Sequence, residues 1–332
     1  MKGKTQVNRI SFHPRAPGRQ SWPMARSRSQ SEDDPLQEVE NPRAGMLDSL
    51  PPEEVVKLLV DEEVNAVKAV RARAAALASA AQLMADKLAA GGRLVYLGTG
   101  TAGRLGALEA AECVPAFGLP PSLVVSIIAG GPHALARVAE AAQDDPREAD
   151  QRMRRAAVGP QDVVCAVADV AISPFLQAAL EYARFRRAAI ILLTCAGPMP
   201  SAEPLADVVI DLVPGPEMIA GCTRLKAGTA IKVAIESVSS AAFVRLGKTY
   251  GGLMVDVRPT TPRGWQRAIS VVTRLTNLPA EEAVKLIKKA GGRAKVALVM
   301  HHARVNAARA KELLIQHKGL LRAIVGDLDL TG

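Results

Sequence analysis

The residues best suited to chemistry form a glycine- and threonine-rich turn, GTGTAG, at positions 98–103. An apolar run precedes the turn, and an alanine-rich run that is typical of a helix follows at 107–112. Glycines let the backbone approach an anion, and the unpaired amides at a helix start point towards it. The hydroxyls of Thr99 and Thr101 add further donors. The turn therefore predicts an anion site, with phosphate as the favoured ligand.

The same turn also matches the G-x-G-x-x-G pattern of dinucleotide sites. Such a site requires an acidic residue at the end of the second strand, where it binds the ribose. Here the predicted second strand, 123–128, ends in Ala-Gly-Gly at 129–131. Phosphate binding is favoured, and a nicotinamide dinucleotide site and a structural turn without a ligand remain as alternatives.

Two carboxylates follow the turn on the same predicted helix. Glu112 lies nine residues beyond Gly103, and Glu109 lies about one helical turn before Glu112. Their neighbours are mostly alanine and leucine, and a carboxylate among apolar neighbours is a candidate for acid/base catalysis. The alternative, a helix residue that faces solvent, stays open at this point.

Regularly spaced apolar runs must position these residues. Five runs rich in β-branched residues are predicted as strands, at 94–97, 123–128, 163–167, 189–194 and 208–212. Helical patterns separate them, notably at 134–142, 148–157 and 175–184. Continuous apolar strands that alternate with helices predict an α/β fold with a doubly wound, five-stranded parallel sheet. In such sheets ligands bind beyond the carboxyl ends of the strands, where the glycine-rich turn lies.

The flanking segments suggest four regions. We expect a disordered basic tail at 1–37, an arm and helix at 38–92, the sheet domain at 93–272 and a small all-helical domain at 273–332. The second region contains a long helical pattern at 64–89 that ends at two glycines. The sheet domain ends with another long helical pattern, at 223–245.

Composition narrows the class of function. Seven Lys and Arg residues precede the first acidic residue, Glu32, and subtracting them from the net charge of +9 leaves only +2 for the rest of the chain. A nucleic-acid partner is therefore not expected for the folded part, and the tail is either simply disordered or a weak tether or transit sequence.

No apolar run reaches the ~18 residues of a membrane span. Four scattered cysteines without CxxC spacing predict free thiols, no metal site and a cytoplasmic location.

Several stretches together resemble the N-acetylmuramic acid 6-phosphate etherases, a family of sugar-isomerase-type (SIS) domain proteins. The resemblance runs from about residue 38 to the C-terminus. It is carried by ENPRAGMLDSL (40–50), GGRLVYLGTGTAGRLGALEAAECVPAFG (91–118), IIAGG (127–131), ALEYAR (179–184), GPEMIAGCTRLKAGTAIK (215–232) and LGKTYGGLMVDV (246–257).

The resemblance implies a specific activity. The family cleaves the D-lactyl ether at C3 of a 6-phosphorylated amino sugar, without a metal or other cofactor, and releases N-acetylglucosamine 6-phosphate and D-lactate. Glu112 falls on a catalytic glutamate of the family. The phosphate is expected at Thr99, Gly100, Thr101 and Ser173, and the sugar near Glu217, Thr223 and Lys226. Because SIS domains commonly pair, a homodimer is also expected, with the arm at 40–50 reaching the second subunit.

This chain departs from the family pattern at several positions. Gln143 aligns with the family's second catalytic glutamate, and an amide cannot act as the base, so Glu140 and Asp144 are candidates to replace it. Ala102 stands where a serine is usual, DVAISP (169–174) stands for Ala-Ser-Gly-Arg-Thr-Pro, and TPRG (261–264) stands for Asn-x-Lys-Leu. Two functions therefore remain: an etherase with Glu112 as its surviving acid/base, or a catalytically weakened protein that binds sugar phosphates, as the related glucokinase regulatory proteins do.

Overall fold

Five short apolar strands pair in parallel to form the central sheet. The computed structural model describes residues 39–328 except 170, 198 and 258, so the basic tail expected at 1–37 lies outside the described residues. The strand order is β2-β1-β3-β4-β5, and all pairs are parallel. The predicted α/β fold with a five-stranded parallel sheet is confirmed. The strands are β1 (Leu94–Gly98), β2 (Val124–Ile128), β3 (Val163–Ala168), β4 (Ala189–Thr194) and β5 (Val208–Asp211).

The strands separate two hydrophobic cores. In β1, Leu94 and Tyr96 belong to one core, whereas Val95 and Leu97 belong to the other. This alternation follows from the two-residue period of a strand, and burial of both faces explains why the strands are continuously apolar.

Helices cover both faces of the sheet. Helices α1 (Pro52–Ala72), α2 (Ala74–Ala89), α3 (Gly100–Phe117) and α6 (Lys226–Arg245) pack over one core. Helices α4 (Pro146–Arg155) and α5 (Pro174–Phe185) cover the other core.

The helix predicted at 134–142 is wrong. This segment contains two short 3₁₀ helices, Gly131–Leu135 and Glu140–Asp144, separated by residues without helical structure. Arg104 of α3 explains the break, because its guanidinium donates to the carbonyl oxygens of Ala134 (2.8 Å) and Arg137 (3.1 Å). A continuous α-helix would use these carbonyls for its own hydrogen bonds.

Two other helical patterns have different bounds from those expected. The stretch at 64–89 is divided at Arg73, whose side chain donates to the carbonyl oxygen of Asp211 (2.6 Å) and so ties the helix junction to the end of β5. The helix expected at 223–245 begins at Lys226 because the buried Glu217 carboxylate accepts the amides of Lys226 (3.0 Å) and Ala227 (2.8 Å). An acidic group is favoured at a helix N-terminus.

The C-terminal part of the chain has its own core. A short antiparallel pair, β6 (Thr249–Tyr250) and β7 (Leu253–Met254), precedes it. The core extends from Tyr250 to Leu321 along the chain. Its helices are α7 (Pro262–Thr276), α8 (Ala280–Lys289), α9 (Ala294–Ala303), α10 (Ala307–Gln316) and α11 (Arg322–Val325).

Within the described residues, α6 is the one helix whose length and apolar composition would suffice to cross a membrane. More than half of that apolar stretch, 56%, is buried against other elements of the fold. This burial is typical of a core helix, and α6 contributes a long row of side chains to the core that it shares with α2 and α3.

The angle between β1 and α3 depends on two glycines in direct contact. A β-carbon on Gly103 would lie 2.7 Å from the carbonyl oxygen of Gly98 and 2.8 Å from a side-chain carbon of Ile128. Both distances are shorter than real contacts of a β-carbon, so a side chain at this position would push α3 away from the sheet.

We therefore expect Gly103→Ala to lower the free energy of unfolding by at least about 2 kcal/mol, through overpacking against backbone atoms. Urea unfolding followed by circular dichroism measures the change. Gly252→Ala is the matched control, because a β-carbon there meets no atom within 4 Å and the backbone φ is not positive. Equal stabilities of the two variants would contradict the role of the close contact.

Candidate functional site

The glycine-rich turn is shorter than the sequence suggested, because the helix begins inside it. Thr99 is the N-cap residue of α3, and Gly100, with a φ of 51°, is the first helical residue. The first amides of a helix have no intrahelical acceptor and carry partial positive charge. These amides therefore lie directly beyond the carboxyl end of β1, where the sequence predicts an anion.

A cavity of about 360 Å³ lies at this helix start. It is formed by the first turn of α3, the residues after β2 and β3, the 3₁₀ segments at 131–144 and the loop before α6. In the strand order, β1 has β2 on one side and β3 on the other, so the cavity lies at the topological switch point. The lining residues are Gly100, Thr101, Arg104, Ala129, Ala134, Val138, Ala139, Glu140, Gln143, Asp169, Gly221 and Thr223.

One wall of the cavity joins the loop after β3 to the loop before α6. The hydroxyl of Thr223 donates to a carboxylate oxygen of the buried Asp169 at 2.8 Å. This hydrogen bond holds together two segments that lie 54 positions apart in the chain. Asp169 thus places a carboxylate in the wall of a predicted anion site.

The opposite wall contains Arg104 and Gln143. Arg104 is the one cationic side chain among the described residues that line the cavity, and two of its donors are used on carbonyls of the 3₁₀ segment. The amide nitrogen of Gln143 lies 3.8 Å from where a β-carbon on Gly100 would be, so the Gln143 side chain lies over the helix start.

Four of the residues predicted from the sequence therefore line one cavity, namely Gly100, Thr101, Gln143 and Thr223. Two of the predicted phosphate ligands do not line it. Thr99 is buried, and Ser173 is the N-cap residue of α5, where its hydroxyl accepts the amide of Leu176 at 3.2 Å.

Glu217 and Lys226 are also outside the lining. Both are buried: Glu217 caps the start of α6, and the ammonium of Lys226 lies 2.7 Å from a carboxylate oxygen of Glu62. Burial raises the pKa of Glu217, and the two backbone amides that it accepts partly oppose this rise.

Glu112 lies in a separate groove between α3 and α6. It is exposed, and Glu109, Lys232 and Glu236 line the same groove. Twelve residues separate Glu112 from Gly100 along α3, so the two positions are about 18 Å apart at 1.5 Å per residue. Within one chain, Glu112 therefore does not share a cavity with the other predicted site residues.

Glu109 is buried beneath that groove. Its carboxylate accepts hydrogen bonds from the hydroxyl of Ser239 (2.6 Å) and the thiol of Cys113 (3.0 Å). Burial and the neighbouring Glu109 raise the pKa of the Cys113 thiol. The Ser239 contact joins α3 to α6 within the core, so Glu109 helps to position α3, the helix that carries Glu112.

The family model of the glucokinase regulatory protein N-terminal SIS domain matches residues 76–184. A protein of Microcystis aeruginosa named N-acetylmuramic acid 6-phosphate etherase is 42% identical over 288 residues, which cover 87% of this chain and 94% of that protein. The protein of the same name from Rhodopirellula baltica is 36% identical, and the match covers 87% and 95% of the two chains. This chain belongs to the N-acetylmuramic acid 6-phosphate etherase family.

A phosphoheptose isomerase from Neisseria gonorrhoeae is 16% identical, with a TM-score of 0.43 over 57% of this chain and 97% of that chain. The etherase family resemblance inferred from the sequence motifs is confirmed by the curated relatives.

Two of the motifs that this chain shares with the etherase family meet at Glu62, whose role the sequence did not reveal. Asn41 of the arm donates to Glu62 (3.2 Å) and to the carbonyl oxygen of Pro216 (2.9 Å), and Arg43 donates to Glu62 at 2.8 Å. Lys226, from the KAGTA segment, donates to Glu62 as well. The arm thus packs on its own chain and anchors the start of α6 next to Thr223. The family motifs point to both partners, but their convergence on a glutamate of α1 depends on the fold.

Burial opposes the ionisation of Glu62, but hydrogen bonds from Lys226, Arg43 and Asn41 outweigh burial and lower the pKa of the carboxyl from 4.5 to about 2. A depressed pKa in the folded state means that ionised Glu62 stabilises the protein. This stabilisation is complete above about pH 4.5 and is lost as the pH falls towards 2.

We expect Glu62→Gln to lower the free energy of unfolding at pH 7 by about 3 kcal/mol, because Lys226 is left buried without its counter-ion. The variant should also show a weaker loss of stability between pH 4.5 and 2 than the wild type. Denaturant unfolding across this pH range measures both effects.

Asp61→Asn is the control. Asp61 is half-exposed and lies 4.0 Å from Arg43, so this substitution should lower the free energy of unfolding by less than about 0.5 kcal/mol. An unchanged pH dependence in Glu62→Gln would show that other carboxyls control acid unfolding.

Proposed function

We propose that this protein is an N-acetylmuramic acid 6-phosphate etherase, a carbon–oxygen lyase of peptidoglycan recycling in the cytoplasm. The observation that carries the proposal is the 36–42% identity to proteins of that name over 87% of the chain. The cavity at the start of α3 supports it, because it joins a helix N-terminus to several polar side chains. The substrate would be cleaved to N-acetylglucosamine 6-phosphate and D-lactate.

The reaction requires two groups that transfer protons. In the open-chain sugar, the C1 aldehyde acidifies the proton on C2. A base removes this proton while the C3–O bond breaks, and an acid protonates the departing lactate oxygen. Water then adds across the C2–C3 double bond. Two carboxyl groups with opposite protonation states suit this sequence of steps, and no redox change occurs.

The phosphate fits best at the first turn of α3. Gly100, Thr101 and Arg104 line the cavity there and supply backbone amides, a hydroxyl and guanidinium donors, and the helix dipole favours a dianion. Thr223 lies on the opposite side, where the sugar would extend. With Asp169, Gln143 and Ala102 in place of the family residues, this part of the active site is substituted, and we expect weaker phosphate binding than a site with more hydroxyl donors would give.

Glu112 lies too far along α3 to reach a sugar bound at the start of the same helix. We propose that the protein acts as a homodimer in which Glu112 of one subunit completes the cavity of its partner. Two observations support this arrangement: Glu112 is exposed, and the neighbouring Leu108 leaves an apolar side chain 48% exposed. A second subunit would cover Leu108 and supply the carboxylate in one interface.

The activity is tested by incubating the purified protein with N-acetylmuramic acid 6-phosphate and measuring D-lactate release. We expect release by the wild type and a decrease in kcat of at least about 100-fold in Glu112→Gln, because one acid/base group is removed. The melting temperature should rise with the sugar phosphate in both proteins, since Glu112 does not bind the phosphate.

A second function is favoured by Gln143, which replaces a catalytic carboxylate in the cavity. If the wild type releases no D-lactate but its melting temperature rises with N-acetylglucosamine 6-phosphate, the protein is a sugar-phosphate-binding or regulatory protein. If neither sugar phosphate changes the melting temperature, both functions are excluded.

The shared site is tested by mixing two inactive variants, Glu112→Gln and Thr101→Glu, the second of which places a negative charge at the phosphate position. Random exchange of subunits in an equal mixture should restore about a quarter of the wild-type activity, because half of the symmetric dimers then contain one intact site. Either variant alone at the same total concentration is the control. No recovery in a mixture that has exchanged subunits would show that Glu112 does not act across the interface.

A further inference from the structure

The cavity still contains a carboxylate close to position 143, where a glutamine replaces the family's second catalytic glutamate. Glu140 and Gln143 both line it and belong to the same 3₁₀ helix, Glu140–Asp144. Gln143 cannot accept a proton at neutral pH because its side chain is an amide. The sequence left both Glu140 and Asp144 as candidates to replace the missing carboxylate. The geometry of this 3₁₀ helix distinguishes between the two.

A 3₁₀ helix has three residues per turn, so side chains at positions i and i+3 are eclipsed. Glu140 and Gln143 have this spacing and therefore extend from the same face of the helix. Asp144 is four positions from Glu140 and is rotated by about 120° from that face. In agreement with this rotation, Asp144 is exposed and does not line the cavity. An α-helix would instead have placed positions 140 and 144 on one face.

Asp169 is the other carboxylate of the cavity, but its surroundings differ. It is buried and accepts the Thr223 hydroxyl at 2.8 Å, so one of its oxygens is already used to join the two loops. Glu140 is exposed where it lines the cavity, and its carboxylate accepts no hydrogen bond in the described part of the chain. A longer, exposed side chain can approach a bound sugar without breaking a hydrogen bond of the folded protein.

We propose that Glu140 is the base of the reaction in this protein and takes over the role of the carboxylate that Gln143 replaces. This inference rests on the proposed etherase function. The Glu140 carboxylate accepts the proton from C2, the C–H electron pair forms the C2–C3 double bond, and the C3–O bond breaks as the lactate oxygen takes a proton from the opposite acid. When water adds, its hydroxyl joins C3, its other proton passes to the deprotonated acid, and C2 receives a proton from Glu140. Both carboxyl groups then return to their initial states.

The test compares three single variants, Glu140→Gln, Asp144→Asn and Asp169→Asn, in two assays. One assay measures D-lactate release from N-acetylmuramic acid 6-phosphate. The other follows exchange of the C2 proton of N-acetylglucosamine 6-phosphate in D₂O by NMR, which reports removal of the C2 proton independently of C3–O cleavage.

We expect Glu140→Gln to lower both rates by at least about 100-fold. Asp144→Asn, four positions from Glu140, should keep both rates within about twofold of the wild type because its side chain does not line the cavity. Melting temperatures of the variants report folding.

A gain-of-function variant completes the test. Gln143→Glu introduced together with Glu140→Gln should raise the rate of C2 exchange at least about tenfold above that of Glu140→Gln alone, because the two positions share one face.

Normal rates in Glu140→Gln, or a selective loss of both rates in Asp169→Asn or Asp144→Asn, would overturn the assignment. If the wild type exchanges C2 but releases no lactate, the etherase function is wrong and a loss of exchange in Glu140→Gln still supports the base. If the wild type does neither, both the function and the base are overturned.

Discussion

The contact between Gly98 and Gly103 controls the geometry on which the site depends. Because neither residue has a side chain, α3 starts against the end of β1 and its first amides face the space beyond the sheet. Arg104, one residue further, then reaches the carbonyls of the 131–144 segment and divides it into two 3₁₀ helices. The close packing of two glycines thus determines both where an anion can bind and which side chains face it.

A buried ionic network fixes the opposite side of the cavity. Glu62 brings together the arm, α1 and Lys226, while Glu217 caps the first amides of α6. These contacts hold the loop that carries Thr223 against Asp169. Lys226 therefore serves as the counter-ion of Glu62 and supports the cavity wall from inside the protein. A lysine of a family motif can thus stabilise the cavity wall without lining the cavity.

The cavity combines features of a catalyst and of a binding protein. The helix start, Thr101 and Thr223 are suited to hold a sugar phosphate, whereas Gln143 and Asp169 change the chemistry available around it. In our proposal the reaction uses carboxylates from two different places, Glu140 within the cavity and Glu112 from a second subunit. Gly100 and Glu112 are about 18 Å apart along α3, and this distance is the physical reason for requiring a second subunit.

Much of the fold follows from local sequence patterns. The five strands were predicted within one or two residues because buried parallel strands need continuous apolar runs, and GTGTAG with KAGTA identified the family. Gly100, Thr101, Gln143 and Thr223, which the sequence predicts as site residues, line one cavity. Periodicity could not reveal the break at 136–139, because an arginine from another helix takes the carbonyls that the pattern assigned to an α-helix.

The sequence by itself determined the alternation of strands and helices, the helix start that can bind an anion and the carboxylates available for proton transfer. These features depend on residue types at short spacing. Only the tertiary structure decided that Lys226 pairs with Glu62, that Glu112 lies in another groove and that Glu140 shares a face with Gln143. The reason is that each depends on groups brought together from distant segments, or on the choice between a 3₁₀ helix and an α-helix, which long-range hydrogen bonds make.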